Sequence, residues 1–274
     1  MDQIATHPTT MEAAGGKMLA SVHDGVGRIT FNQPEKRNAM SVEMWDGMTG
    51  FLEKWEHDPA VRVVVLTGAG DKAFVSGADI SQFAKSRSNA DAQKEYDKLT
   101  SAGRRTLASY PKPVIARIQG FCLGGGLGIA MQADIRIASA SSAFGIPAAR
   151  LGIAYGFDMV GRLISLVGQA QARTMLFTGD RMDAAEAGRI GLVNQVVADD
   201  ALDAAVDTLA KTIAGNAPLS ITGMKFILGQ CMKDAADRDM DGVTTVVSAC
   251  FDSADYTEGR TAFMEKRKPA FTGR

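Results

Sequence analysis

The stretch PKPVIARIQGFCLGGGLGIAMQADIRIAS, residues 111–139, carries the organisation of the chain in one segment. Pro111 and Pro113 close a polar, helix-prone region, and VIARIQG reads as a buried strand because its apolar run is short and bounded by turn residues. Three consecutive glycines, Gly124 to Gly126, follow, with Gly128 two places on and a helical run to Ala133; IRIAS is a further strand. An earlier copy of the pattern is visible in RVVVLTG followed by AGDKAFVSGADI. Strand, glycine turn and helix therefore recur, and the class expected is α/β.

Upstream, KMLASVHDGVGRITFN reads as two strands around Asp24-Gly25, a hairpin signal. Met44, Trp45, Met48, Phe51, Leu52 and Trp55 recur at helical spacing behind Ser41, a good N-cap. AAEAGRIG reads as a helix with a glycine stop and LVNQVV as a strand, and from Asp199 onward the pattern is helical. The expected division is a flexible tail over 1–16, an α/β core over 17–198 and a helical region over 199–274 that serves oligomerisation.

The chain has 274 residues, 46% hydrophobic and 22% charged, with a formal net charge of −1. That balance offers no basic footprint for nucleic acid. Neither a secretory leader nor a membrane-spanning run is legible, so a cytoplasmic protein without membrane insertion is expected. Cys122, Cys231 and Cys250 show neither metal nor disulfide spacing and are expected to be buried thiols. The three histidines are scattered, and no metal is expected.

The glycines admit several readings. Close packing of helix on strand is one. A phosphate-binding G-x-x-x-x-G-K-[ST] is absent, and Gly124, Gly126 and Gly128 fall one position short of G-x-G-x-x-G. A third reading uses bare amides: two turns, SGAD and LGGG, each after a buried strand, can aim two N–H groups at one carbonyl oxygen on which negative charge develops.

With ITFNQPEKRNAM, VVLTGAGDKAFVSGADI, PKPVIARIQGFCLGGGLGIAMQADIRIAS, FGIPAARLGI, LFTGDRMDAAEAGRIGLVNQVV and TAFMEKRKPAF in order, the chain resembles the enoyl-CoA hydratase/isomerase (crotonase) family from about Leu19 to Phe271. The resemblance implies a spiral of ββα units with a helical C-terminal region, assembly as a trimer or a pair of trimers, and acyl-CoA thioester substrates. No separate cofactor is expected, coenzyme A being part of the substrate. It implies an oxyanion hole from the amides of Ala78 and Gly125. It places Arg37, Ala39, Ser76, Asp79 and Ile80 where the coenzyme folds around the pocket, with Phe121, Gly124, Pro147 and Leu151 also lining the substrate. Phe263 and Lys266 match a C-terminal signature that reaches the nucleotide end. Helix capping is the competing role for Asp79, and a solvated helix face for Lys266.

The chain departs from the family at both catalytic carboxylates. Hydratases of this kind carry glutamates where this sequence has Gly128 and Ala148, and no Asp or Glu occurs from Lys98 to Met131. Asp134 reads as a backbone cap. Tyr155 and Asp158 are the remaining candidates for proton chemistry, with core packing and helix capping as their respective alternatives. A related decarboxylase subgroup acting on methylmalonyl-CoA has a tyrosine at the position of Tyr155, but also a histidine where this chain has Ala78. The enzyme expected is an acyl-CoA-processing lyase of this family that stabilises a thioester enolate or oxyanion. Decarboxylation, hydrolysis or isomerisation, and CoA-thioester binding without turnover, are the alternatives. Small residues at 128 and 148 are expected to leave open volume for a branched or cyclic acyl chain or for water, unless Phe121, Ile146 or Phe157 plugs the site.

Overall fold

The computed structural model describes residues 9–79 and 90–274. The hairpin expected around Asp24-Gly25 is formed by β2 (Met18–His23) and β3 (Val26–Phe31), with both turn residues at positive φ, 49° and 80°. Residues 9–13, expected within a flexible tail, instead form β1 (Thr9–Ala13), antiparallel to β2. Pairing with β2 supplies backbone hydrogen bonds that no local pattern in TTMEA announces.

Helix α1 (Val42–Glu56) follows, and the hydroxyl oxygen of Ser41 accepts the Met44 amide at 3.4 Å. All six apolar residues expected on its inner stripe are buried. Next come β4 (Val63–Gly68), β5 (Ala73–Val75), α2 (Ala90–Ala108), β6 (Val114–Ile118), β7 (Phe121–Leu123), α3 (Gly125–Gln132), β8 (Ile135–Ser139) and β9 (Ala143–Gly145). After α4 (Phe157–Thr178), β10 (Arg181–Asp183), α5 (Ala184–Arg189) and β11 (Gln195–Val197), four helices complete the chain: α6 (Leu202–Ala214), α7 (Pro218–Cys231), α8 (Met240–Phe251) and α9 (Ala254–Glu265). None of the described helices is long and apolar enough to cross a membrane.

Two sheets organise these elements. The larger has the order β1-β2-β3-β4-β6-β8-β11, parallel from β3 onward, and the smaller the order β10-β9-β7-β5. Each repeat thus lays a strand in the large sheet and then a short strand in the small one; after β7 the helix α3 completes the unit. Strand β4 shows why its apolar run is unbroken. Val64 and Leu66 belong to the main core, whereas Val63 and Val65 pack with Leu202, Val206 and Ala210 of α6 on the other face. Successive side chains point to opposite faces, so a strand covered on both must be apolar throughout.

The helical tail is pinned to this frame by Asp134. Its Oδ2 accepts the Val114 amide at 2.7 Å and the Lys225 ammonium at 2.7 Å, and Lys225 also donates to the Lys112 carbonyl at 2.8 Å. The backbone-capping role expected for Asp134 is therefore joined by an ion pair to α7. Burial lowers the pKa of Lys225, with Asp134 acting against that shift. Of the cysteines only Cys122 is buried, its thiol pKa raised by desolvation; Cys231 is exposed and Cys250 half-buried, unlike the uniform burial expected. Asp134→Ala strands both donors and is expected to cost roughly 2–3 kcal/mol of stability. Lys225→Met, which keeps the Val114 bond, is expected to cost less, and urea-unfolding midpoints check the order.

Candidate functional site

Three parallel short strands build the site. Strand β5 pairs with β7 and β7 with β9, all parallel, so the turns that leave them emerge at one edge of the small sheet. Those turns are SGAD after β5, LGGG after β7 and IPAA after β9. The glycine run that opens α3 is a close-approach device. A β-carbon on Gly126 would stand 2.0 Å from the Val75 carbonyl oxygen, so only glycine lets α3 start against the end of β5.

The SGAD turn is held from its other side by the loop of residues 33–40. The Met40 amide donates to the Gly77 carbonyl at 2.8 Å and the Asp79 amide donates to the Met40 carbonyl at 2.9 Å, a parallel bridge between Met40 and Ala78. In this pattern Met40 uses the groups flanking Ala78, and the N–H of Ala78 itself points to the opposite side. On that side lies Gly125: a β-carbon built there would be 3.8 Å from the Ala78 nitrogen. Gly125 is the first residue of α3, where amides have no partner within the helix and the helix dipole favours negative charge. Among the described residues neither the Ala78 nor the Gly125 N–H donates to a protein acceptor.

Two residues that the sequence did not announce fix this geometry. Asn38 is fully buried at φ 55°; its Nδ2 donates to the carbonyls of Ala69 (3.0 Å) and Ala73 (2.7 Å), and its Oδ1 accepts the Gln33 amide (2.9 Å). It ties the Met40 loop to the β4–β5 turn. An Asn in a loop, tolerant of left-handed backbone, was the available signal. Arg136, buried on β8, donates to the Ala133 carbonyl (2.6 Å) just past α3 and to the Leu192 carbonyl (2.8 Å). Burial, aided by Arg162, pushes its pKa down to about 10, against the pull of Asp134, and it remains a cation at the C-terminal end of the helix that carries Gly125.

The remaining candidates divide. Tyr155 joins the site: its hydroxyl lies 3.2 Å from where a β-carbon of Gly124 would be, and Pro147 Cδ lies 4.0 Å from the same point. Gly124 itself, at φ 52°, donates its amide to the Gly145 carbonyl at 2.9 Å. Asp158 is exposed in the first turn of α4, where Gly156 takes the N-cap position without a side-chain bond. Above Gly128, where open volume is expected, Met159 borders the space: its Cε and Sδ lie 3.4 and 3.6 Å from the β-carbon position, at ordinary contact distance. Ala148 is buried, and Leu151 is exposed.

On the other side of the turns, Ser76 donates its amide to the Arg37 carbonyl at 3.1 Å, Ala39 is buried, and Asp79 is ion-paired to Lys36 at 2.9 Å. Ile80, and any helix that Asp79 would cap, lie outside the described residues. The Phe121 ring faces the guanidinium groups of Arg37 (5.2 Å) and Arg181 (5.0 Å). Of the other two side chains that plugging of the site would involve, Ile146 belongs to the core and Phe157 is 90% exposed. Arg37 also lines a cleft of about 240 Å³ with Asp71 and Lys72. A cavity of about 730 Å³ lies elsewhere, among Phe251, Tyr256, Phe263, Met264 and Phe271 of the helical tail. Phe263 is thus placed in the tail, and Lys266 closes α9 in a left-handed conformation; no residue of the three turns lines that cavity. Among the described residues no cluster of three His, Cys, Asp or Glu is placed to hold a metal.

Comparison with known proteins gives a consistent answer. The family model described as enoyl-CoA hydratase/isomerase matches residues 21–274. A short-chain-enoyl-CoA hydratase from Clostridium acetobutylicum is 39% identical over 243 residues, 89% of this chain and 92% of that protein. A peroxisomal Delta(3,5)-Delta(2,4)-dienoyl-CoA isomerase from Arabidopsis thaliana is 33% identical over 257 residues, 90% and 92% of the two chains. The crystal structure of an enoyl-CoA hydratase/carnithine racemase from Magnetospirillum magneticum superposes with a TM-score of 0.91 at 35% identity, covering 96% of this chain and 97% of that one.

The two neighbouring glycines separate packing from chemistry. Gly126→Ala is expected to lose at least about 3 kcal/mol of stability, because the clash is with backbone. Gly125→Ala meets only ordinary contacts, and its melting temperature is expected to stay within about 3 °C of the parent by differential scanning fluorimetry.

Proposed function

The chain belongs to the enoyl-CoA hydratase/isomerase family, and on that premise we propose that it acts on an acyl-CoA thioester whose enolate oxygen is held by the amides of Ala78 and Gly125. The observation that carries the reading is their juxtaposition: two N–H groups without protein acceptors among the described residues, from separate parallel strands, at one edge of a sheet. Such fixed donors act on charge as it develops and need no reorganisation during the reaction.

The reading includes a reaction that needs no pair of carboxylates. Glycine and alanine at 128 and 148 transfer no protons, so the family's two-glutamate hydration is unsupported here. Loss of carboxylate from a malonyl-type thioester meets the constraint. The bond from the α-carbon to the carboxylate breaks, its electron pair moves into the thioester carbonyl, and carbon dioxide leaves. The α-carbon then takes a proton, for which the Tyr155 hydroxyl beside Gly124 is the donor, restored by solvent. Isomerisation and hydrolysis use the same oxyanion site and are outcomes of the same test. Arg37, beside Phe121 and the cleft with Lys72, is a cationic candidate for the anionic coenzyme.

A homo-oligomer, trimer or pair of trimers, is part of the proposal. Exposed apolar residues on the helical tail support it, among them Met224, Leu228, Val247, Phe251, Phe263 and Met264. Sedimentation at micromolar concentration is expected to show no stable monomer.

Turnover of crotonyl-, methylmalonyl- and ethylmalonyl-CoA, followed by mass spectrometry, tests the reaction. Crotonyl-CoA hydration is expected to lie about 10²-fold or more below that of a two-glutamate hydratase. On the best substrate Tyr155→Phe is expected to slow single turnover at least about 10-fold, while affinity for a saturated acyl-CoA changes little. Ordinary hydration rates in the parent, or an unchanged rate in the Phe variant, would count against the respective assignment.

A further inference from the structure

Gly124 and Gly128 are four residues apart at the start of α3, and the side chains that stand over them, Tyr155 and Met159, are also four apart at the start of α4. The contacts form two rungs. The Tyr155 hydroxyl lies 3.2 Å from the β-carbon position of Gly124, and the Met159 methyl and sulfur lie 3.4 and 3.6 Å from that of Gly128. Both side chains are partly buried and packed on the main core. Gly125, whose amide is half of the oxyanion site, precedes Gly128 by three residues and so shares its side of the helix. Met159 therefore stands one turn along α3 from the Tyr155 hydroxyl, over the side of the helix that residue 125 shares.

We propose that Met159 is a specificity-determining residue of the acyl site, filling with a thioether the space that a proton-transferring side chain at position 128 would need. The assignment rests on the acyl-CoA reading above. A β-carbon at position 128 would meet Met159 at ordinary van der Waals distance, so a side chain that continues beyond it in that direction competes with Met159 for space. A thioether neither donates a proton nor holds water firmly, so this side of the site is an apolar surface. Three rotatable bonds let it adjust to the carbons of an acyl chain. The substrate class that fits is a short acyl thioester whose α- and β-carbons pack against sulfur, with little room for branching while Met159 is in place. Shortening the side chain exchanges that contact for space.

The test uses full-length protein and two unreactive thioesters, acetyl-CoA and isovaleryl-CoA, with affinities from calorimetry. In Met159→Ala the preference for isovaleryl- over acetyl-CoA is expected to rise at least about 10-fold, the scale at which pockets discriminate small apolar groups. Met159→Leu, which conserves volume, is expected to keep the preference within about 3-fold. A second arm reads folding alone. Gly128→Glu is expected to lower the melting temperature in the parent and to lower it less in the Met159→Ala background. An unchanged preference in Met159→Ala, or equal losses in the two backgrounds, overturns the assignment. Binding of neither thioester by the parent overturns the acyl-CoA reading and this assignment with it.

Discussion

The close approach of α3 to the end of β5 is the constraint on which the rest of the site depends. A backbone carbonyl oxygen, that of Val75, lies 2.0 Å from where the β-carbon of residue 126 would be, and this is tolerated because residue 126 is glycine. The approach sets the N-terminal amides of α3 beside the SGAD turn. Parallel pairing of β5, β7 and β9 fixes the relative height of their three turns. No side chain has to reach across a gap to assemble the two amides, because backbone carries them there.

Around that contact the molecule spends its buried polar groups on position rather than on chemistry. Asn38 joins the loop before α1 to the β4–β5 turn, and the Met40–Ala78 bridge then leaves the Ala78 amide aimed away from the loop. Arg136 fastens the far end of α3, and Asp134 joins the adjoining strands to the helical tail through Lys225. Each group accepts or donates to backbone, so each fixes main-chain geometry directly. The proposed oxyanion role of the two amides requires such a frame, because donors act on developing charge best when they are fixed beforehand.

The side chains around the glycine turn are chemically different from the frame. Gly128 and Ala148 remove functional groups, Met159 supplies bulk without protons, and Tyr155 leaves one hydroxyl near the glycine turn. In the reading proposed above, the functional division lies between a backbone site for a thioester oxygen and side chains that choose the fate of the enolate.

Much of this was legible in the sequence. The six buried residues of α1, the Asp24-Gly25 hairpin and the succession of strand, glycine turn and helix follow from periodicity and backbone preference, which are local properties. SGAD and LGGG could be named as turns of close backbone approach for the same reason, since glycines next to buried strands mark it. Residues 9–13 were misread because an edge strand takes its hydrogen bonds from a partner rather than from its own pattern. The neighbour of Gly128 was not legible because only the fold brings the start of α4 alongside the start of α3, where Met159, 31 positions later, stands beside it. The sequence by itself determined which segments offer bare amides and which lack carboxylates. The tertiary structure alone decided which side chain stands over each glycine, because that depends on packing between helices rather than on any local preference of the chain.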